Sequence, residues 1–134
     1  MKPKQYPSAT LRGSRVDEPM INDLVLPKAV FESALEGVKD LIEGRRLYGV
    51  VRHEEDYIES ETPLHLVSHI IDEVFLDEED HMTCRVIFLE TERGKEAIEN
   101  LDSLRIGYRG IGTVENGVIQ DDFTLLGFDL YYDN

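Results

Sequence analysis

LRIGYRGIGTVENGVIQDDFTLLGFDLYY, residues 104–132, decides the fold class. Asn116-Gly117 lies between two apolar runs, and tight hairpin turns need positive φ at both central residues, which Asn and Gly supply at least cost. The stretch therefore predicts a strand from Leu104 to Val114, a turn at Glu115-Asn116-Gly117 and a strand from Val118 to Tyr132. Gly107, Gly110 and Gly112 fall inside the first strand, where glycine marks a bulge or a close backbone approach. A phosphate cradle would need a strand-to-helix transition after these glycines, and none follows.

Working outward, Leu64 to Leu76 and His81 to Leu89 alternate as strands around the acidic turn Asp77 to Asp80, a second hairpin. Leu47 to Arg52, rich in Val and Tyr, reads as a short strand that leads into the polar loop His53 to Pro63. Two helices interrupt the strands. Val30, Phe31, Ala34, Leu35, Val38, Leu41 and Ile42 recur at helical spacing from Pro27 to Glu43, with proline tolerated at the start and Gly44 as the stop. Thr91 to Leu101 carries Ala97, Ile98 and Leu101 at the same spacing behind a capping threonine, so the second helix covers Glu92 to Leu101. Its opposite face, Glu92, Arg93, Lys95, Glu96 and Glu99, is expected to be solvated. The pattern predicts an α+β domain, a small, mostly antiparallel β-barrel flanked by two helices.

The 134 residues fit one domain, 21–134, preceded by an extended N-terminal arm over 1–20, where Pro3, Pro7, Gly13 and Pro19 punctuate mixed polar residues. That arm carries Lys2, Lys4, Arg12 and Arg15 against Asp17 and Glu18, so it is locally basic on an acidic protein. The net charge of −14 argues against direct nucleic-acid binding, which rests on Lys and Arg, and favours a protein partner. Apolar runs are too short to span a bilayer, so no membrane association is expected. The one cysteine, Cys84, falls on a strand and reads as a buried thiol in a reducing compartment.

Neither a metal nor a cofactor is expected. His65 and His69 have i, i+4 spacing, but on a strand they stand roughly 13 Å apart by the usual rise, too far to share an ion. Glu54, Glu55, Asp56, Glu59 and Glu61 form a solvated charge run without the spaced ligands and sharp glycine of a calcium loop.

Read in order, the short segments resemble the prohead core proteases of tailed phages. Asn22-Asp-Leu-Val-Leu-Pro27 is similar to that family's Asn-Gly-Arg-x-Tyr-Pro before its first helix. Gly44-Arg-Arg-Leu-Tyr-Gly-Val-Val-Arg-His53 resembles its Gly-Glu-Leu-x-His-Pro strand, which ends in the catalytic histidine. Val67-Ser-His-Ile-Ile71 matches its Val-Ser-His-Ile-Ile, and Leu89-Glu-Thr-Glu-Arg-Gly-Lys95 its Leu-Asp-Thr-Pro-x-Gly-Lys. Leu104 to Gly112 falls on Leu-Gly-Ile-Ser-Ser-Arg-Gly-x-Gly, and Asp121 to Leu130 on the closing strand.

The resemblance covers Asn22 to Asp133 and implies the herpesvirus-assemblin-like protease fold. By it His53 is the catalytic histidine, His69 a candidate orienting group, and Arg109, Gly110 and Gly112 the oxyanion region. The two serine positions hold Gly107 and Tyr108, neither of which supplies a serine hydroxyl, and Glu54 replaces the proline after the histidine. The implied function is a non-catalytic structural or assembly protein of the phage head or neck. Its partners would be capsid, portal or scaffold proteins, with multiple copies in a symmetric assembly, first in the host cytoplasm and then in the virion. The alternative is an active maturation serine protease that cleaves scaffold and capsid proteins by an unrecognised nucleophile; Ser103 and Thr113 are several residues from the matched position, and either would need a register slip to serve. A regulatory pseudoenzyme paired with an active protease is a third reading.

Overall fold

The computed structural model describes residues 7–20, 22–53 and 63–132. In chain order these form β1 (Ser8–Arg15), α1 (Lys28–Gly37), α2 (Lys39–Glu43), β2 (Tyr48–Val50), β3 (Val67–Leu76), β4 (His81–Phe88), α3 (Glu92–Glu99), β5 (Leu104–Ile111), β6 (Val114–Glu115), β7 (Val118–Ile119) and β8 (Thr124–Tyr132). Short 3₁₀ turns cover Leu64–Leu66 and Leu101–Ser103. The acidic segment 54–62 expected as a loop, the first six residues of the expected arm and the last two residues lie outside the described set.

The fold is α+β, with paired strands antiparallel throughout the three sheets. One sheet runs β1-β4-β3-β2, a second pairs β5 with β8, and a third pairs β6 with β7. An isolated parallel bridge, Val51 to Leu130, joins the end of β2 to β8, and the Arg52 N–H donates to the Leu130 carbonyl at 2.8 Å. The expected closed barrel is not formed. No ladder joins β5 to β1, although a side chain on Gly13 would stand 3.1 Å from the Ile106 carbonyl. At this approach β1 is irregular, its register shifting between Arg12 and Arg15, and the Gly13 carbonyl accepts from the His81 side chain, Nδ1 at 2.8 Å.

Among the described residues three α-helices replace the expected two. The apolar spacing from Val30 to Ile42 is continuous, but α1 stops at Gly37 and Val38 leaves helical geometry at φ −113° before α2 begins. Glycine loses the most backbone freedom in a helix and favours its end. Gly44 is likewise not the left-handed stop: Arg45 takes φ 55°, and its N–H and that of Arg46 return to Ile42 and Leu41, a Schellman closure with arginine in the glycine position. At the other end, the Lys28 N–H is capped by the Asp17 carboxylate at 2.8 Å, from 11 residues away.

The Asn116-Gly117 turn forms with both φ positive, 52° and 78°. It closes only the β6–β7 ladder; the long strands β5 and β8 pair directly, Leu104 with Tyr132 through Ile111 with Thr124, so each expected strand is broken in two. A clamp holds the break, where Thr113 donates both its N–H and its hydroxyl to Asp122. Residues 8–15 of the expected arm are extended, and they dock on β4 of this same chain.

Phe31, Leu26, Ile71, Phe88, Phe128 and Leu130 are fully buried between the sheets and α1. Each such side chain contributes about 1.5–3 kcal/mol of burial. Cys84 sits among them, its thiol pushed up by burial and inert.

Candidate functional site

His53 lies just beyond the β2–β8 bridge. Its Nε2 is 2.7 Å from Glu96 Oε2 on α3, and the Tyr132 hydroxyl at the end of β8 donates to the same carboxylate oxygen. Thr91 builds α3 in that position: its hydroxyl accepts from the Gly94 N–H and donates to the Val67 carbonyl, tying the helix start to β3. Burial raises the Glu96 carboxyl, but the Tyr132 and His53 hydrogen bonds, with the His53 and Arg93 charges, outweigh it and hold the group below its usual range. The same contact pushes the Tyr132 phenol up to about 12. The helix face expected to be solvated is thus half engaged: Arg93 donates to the Val51 carbonyl and Glu96 orients His53, whereas Ile98, expected inside, is 42% exposed.

His69 stands elsewhere. It is fully buried on β3, with Nε2 2.8 Å from the Phe128 carbonyl and Nδ1 2.7 Å from the Ser68 hydroxyl. A carbonyl only accepts, so Nε2 carries the proton and Nδ1 accepts from Ser68. Both ring nitrogens are occupied, so His69 has none left to orient His53. The Ser68–His69 contact looks like a nucleophile and its base, but both side chains are fully buried, so no substrate reaches the hydroxyl. His65, expected beside it on a strand, is exposed on a 3₁₀ turn. Among the described residues no group of three or more His, Cys, Asp or Glu converges, and no helix is long and apolar enough to cross a membrane.

Burial dominates His69 and lowers its pKa from 6.5 to about 4, with the Phe128 carbonyl opposing and the Arg109 charge assisting. Between those values the unfolded chain binds the proton and the folded chain does not, so acid favours unfolding. The loss begins as pH falls below 6.5 and is complete near 4. Urea unfolding at pH 7 and pH 5 should show wild type losing about 2 kcal/mol more over that interval than His69→Gln. Equal losses would show that the ring is protonated in the folded state.

Gly107 pairs with Asp129 and Tyr108 with Phe128, so these two positions sit midway along the β5–β8 ladder. Gly107 lies three residues, roughly 10 Å, beyond Leu104, the partner of Tyr132. A Cβ at Gly107 would meet the Tyr131 ring at 3.1 Å. The Tyr108 ring packs edge-on against Phe123, centroids 5.4 Å apart, and its hydroxyl bonds to the Asn22 side chain. Gly110 and Gly112 are close approaches: side chains there would come within 2.4 Å and 2.9 Å of Phe123, and the ladder bulges at Arg109–Gly110.

Arg109 is turned inward on Asp129, Nε to Oδ2 at 3.0 Å and Nη2 to Oδ1 at 3.3 Å. Asp129 also accepts from the Val50 N–H at 3.2 Å and from Arg52 at 3.4 Å. Beside this cluster, where β5 faces β1 without a ladder, a groove of about 840 Å³ opens, with Gly107 and Tyr108 in its lining.

No family model matches the chain, and no curated protein matches it in sequence. Among solved structures, the bacteriophage T4 capsid assembly protease, gp21, superposes with a TM-score of 0.81 at 14% identity, over 95% of this chain and 82% of that one. The chain has a prohead-protease-like fold.

Within that fold, the positions carried over by resemblance are divided. His53 meets Glu96 and Tyr132, Arg109 meets Asp129, and His69 belongs to the packing between β3 and β8. Glu96 and Tyr132 lie outside the matched segments, and Asp129 and Arg52 lie inside them without a role assigned by the resemblance. Glu96 is 43 residues from His53 and Asp129 is 20 from Arg109. Two features of the sequence do point their way: a charged residue directly before the buried Ala97 on a short helix, and a lone aspartate inside the apolar run Leu125 to Leu130.

Proposed function

We propose that the chain is a non-catalytic assembly component of a phage head or neck, which binds capsid, portal or scaffold proteins through a prohead-protease-like domain. The observation that carries this reading is the pairing of that fold with Gly107 and Tyr108 at the positions matched to the nucleophilic serine. Neither supplies a serine hydroxyl, and the hydroxyls nearby are engaged or unassisted. Thr113 is bound to Asp122, Ser103 is exposed on a 3₁₀ turn, and Ser14 lines the groove with no histidine in that lining. Acyl transfer by serine needs a base within hydrogen-bond reach. In this reading the chain acts in multiple copies of a symmetric particle, assembles in the host cytoplasm and stays in the virion.

The test is chemical and compositional. Incubated with scaffold and capsid proteins, the purified chain should cleave nothing, and a fluorophosphonate probe should leave it unlabelled. Mass spectrometry of purified mature particles should find it intact and in fixed stoichiometry. The active-protease reading draws on the His53–Glu96 pair, which has the form of a base oriented by a carboxylate. Stoichiometric labelling at Ser14, Ser103 or any other serine would establish that reading and remove the first.

A further inference from the structure

Strand β1 is held unequally along its length. From Arg12 onward it is pinned to the turn between β3 and β4: Arg12 Nε lies 2.6 Å from Asp77 Oδ2 and its Nη2 lies 3.2 Å from Glu79 Oε2. Arg15 Nε donates to the Glu79 carbonyl at 2.8 Å, and the Val16 N–H donates to the Asp80 carbonyl at 3.0 Å. Val16 is buried, and Gly13 is wedged between two backbones, since a side chain there would meet the Met82 and Ile106 carbonyls at 3.0 and 3.1 Å. The turn at 77–80 is thus a clamp on one end of the strand.

Residues 7–11 have no such hold. Among the described residues none of their side chains forms a hydrogen bond or ion pair, and none is fully buried; Ala9 and Leu11 pack partly covered on the core. What keeps the segment down is its ladder with β4, and β1 is the edge of that sheet. The Phe88 N–H donates to the Pro7 carbonyl at 2.8 Å and the Leu89 N–H to the Ser68 carbonyl at 3.0 Å, so successive β4 amides alternate between their two neighbours. By that alternation the amides of Cys84, Val86 and Phe88 face β1, through the pairs Leu11–Cys84 and Ala9–Val86, whereas those of Arg85 and Ile87 face β3. A segment with few buried apolar contacts and an edge ladder opens at a free energy below that of global unfolding. Release returns backbone freedom to every residue in it, against the partial burial of Ala9 and Leu11 and a short ladder.

We propose that residues 7–11 form a strap that lifts from β4 as one unit, hinged at Arg12 and Gly13, while the clamp at 77–80 stays closed. Lifting frees the amides and carbonyls of Cys84, Val86 and Phe88 that face β1 and leaves the β3 side of β4 intact. The raised state therefore presents β4 as an open edge, a row of unpaired donors and acceptors that the lowered strap covers. The strap follows from the packing of β1 alone and is independent of the assembly reading.

Native-state hydrogen exchange, followed by NMR on the whole chain near neutral pH, reads the opening directly. The amides of Ala9, Leu11, Cys84, Val86 and Phe88 should share one protection factor, roughly a hundredfold or more below that of Arg85 and Ile87. The Val16 amide, held by the clamp, should stay with the slow pair. Val38→Ala, which truncates a buried side chain at the junction of α1 and α2, weakens the fold outside the strap; it should speed Arg85 and Ile87 by about tenfold and leave the strap amides at the wild-type rate. Leu11→Ala weakens the lowered state itself, so both sets should speed by a common factor. Equal protection of the two sets in the wild type, exchange of Val16 with the strap, or an equal response of both sets to Val38→Ala would each overturn the proposal. The wild-type comparison decides the first two of these even where a variant folds poorly.

Discussion

Replacing Asp129 with alanine is expected to destabilise the fold by about 3–5 kcal/mol, the range for removing one partner of a buried ion pair. The side chain is fully buried and accepts from Arg109, Arg52 and the Val50 N–H. Burial pushes its carboxyl up, against the opposing pull of the two guanidiniums and the amide. That balance means the cluster gains little over an apolar core, but it does not make half the cluster tolerable. Without Asp129 the inward-facing Arg109 keeps its charge and loses the carboxylate that meets its Nε and Nη2. Urea unfolding at pH 7 measures the loss. Asp129→Asn, which keeps an acceptor for Val50, should lie between, and the pair Arg109→Leu with Asp129→Leu should recover much of the stability. A loss under about 1 kcal/mol for Asp129→Ala would mean that solvent reaches Arg109 after all.

Gly49→Ala is expected to cost about 3 kcal/mol or more, beyond ordinary overpacking. A Cβ there would lie 2.0 Å from the Phe128 carbonyl and 2.1 Å from His69 Nε2, the two atoms of the hydrogen bond that joins β3 to β8. One of these is backbone and the other is held at both ring nitrogens, so neither yields cheaply. Gly37→Ala is the internal contrast. Nothing lies within 4 Å of that position, and alanine at a helix terminus should be neutral or stabilising by up to about 1 kcal/mol. Thermal melts of the two variants separate steric exclusion at Gly49 from a general sensitivity to lost glycine, which would shift both Tm values alike.

The elements legible in the sequence were those whose cause is local. Alternation between Val67 and Phe88 is set by one buried face, and the Asn116-Gly117 turn by two residues that tolerate positive φ. Thr91 announces α3 because its own hydroxyl caps it. What was not legible depended on distant partners. The break at Gly37–Val38 leaves the apolar spacing intact, so periodicity passes over it. The separation of β6 and β7 from the long strands depends on Thr113 meeting Asp122, and barrel closure fails where Gly13 turns its carbonyl to His81. At the candidate site, resemblance brought His53 forward, while Glu96 hid in a charged helix face that pattern alone assigns to solvent.

Strand β8 pairs with β5 along one edge and touches the end of β2 along the other, so it is the piece through which residues near 50 and residues near 105 become one structure. Residues 124–132 leave the ribosome after all the strands they join. Until then the β1-β4-β3-β2 sheet has no cover from Phe128 and Leu130, and Asp129 is not yet there to receive Arg109. Contacts so far apart in the chain are slow to form, and intermediates that wait for them expose apolar surface. The nascent chain therefore keeps this apolar surface open until residues 124–132 have emerged, and the two parts of the fold join in a single late step.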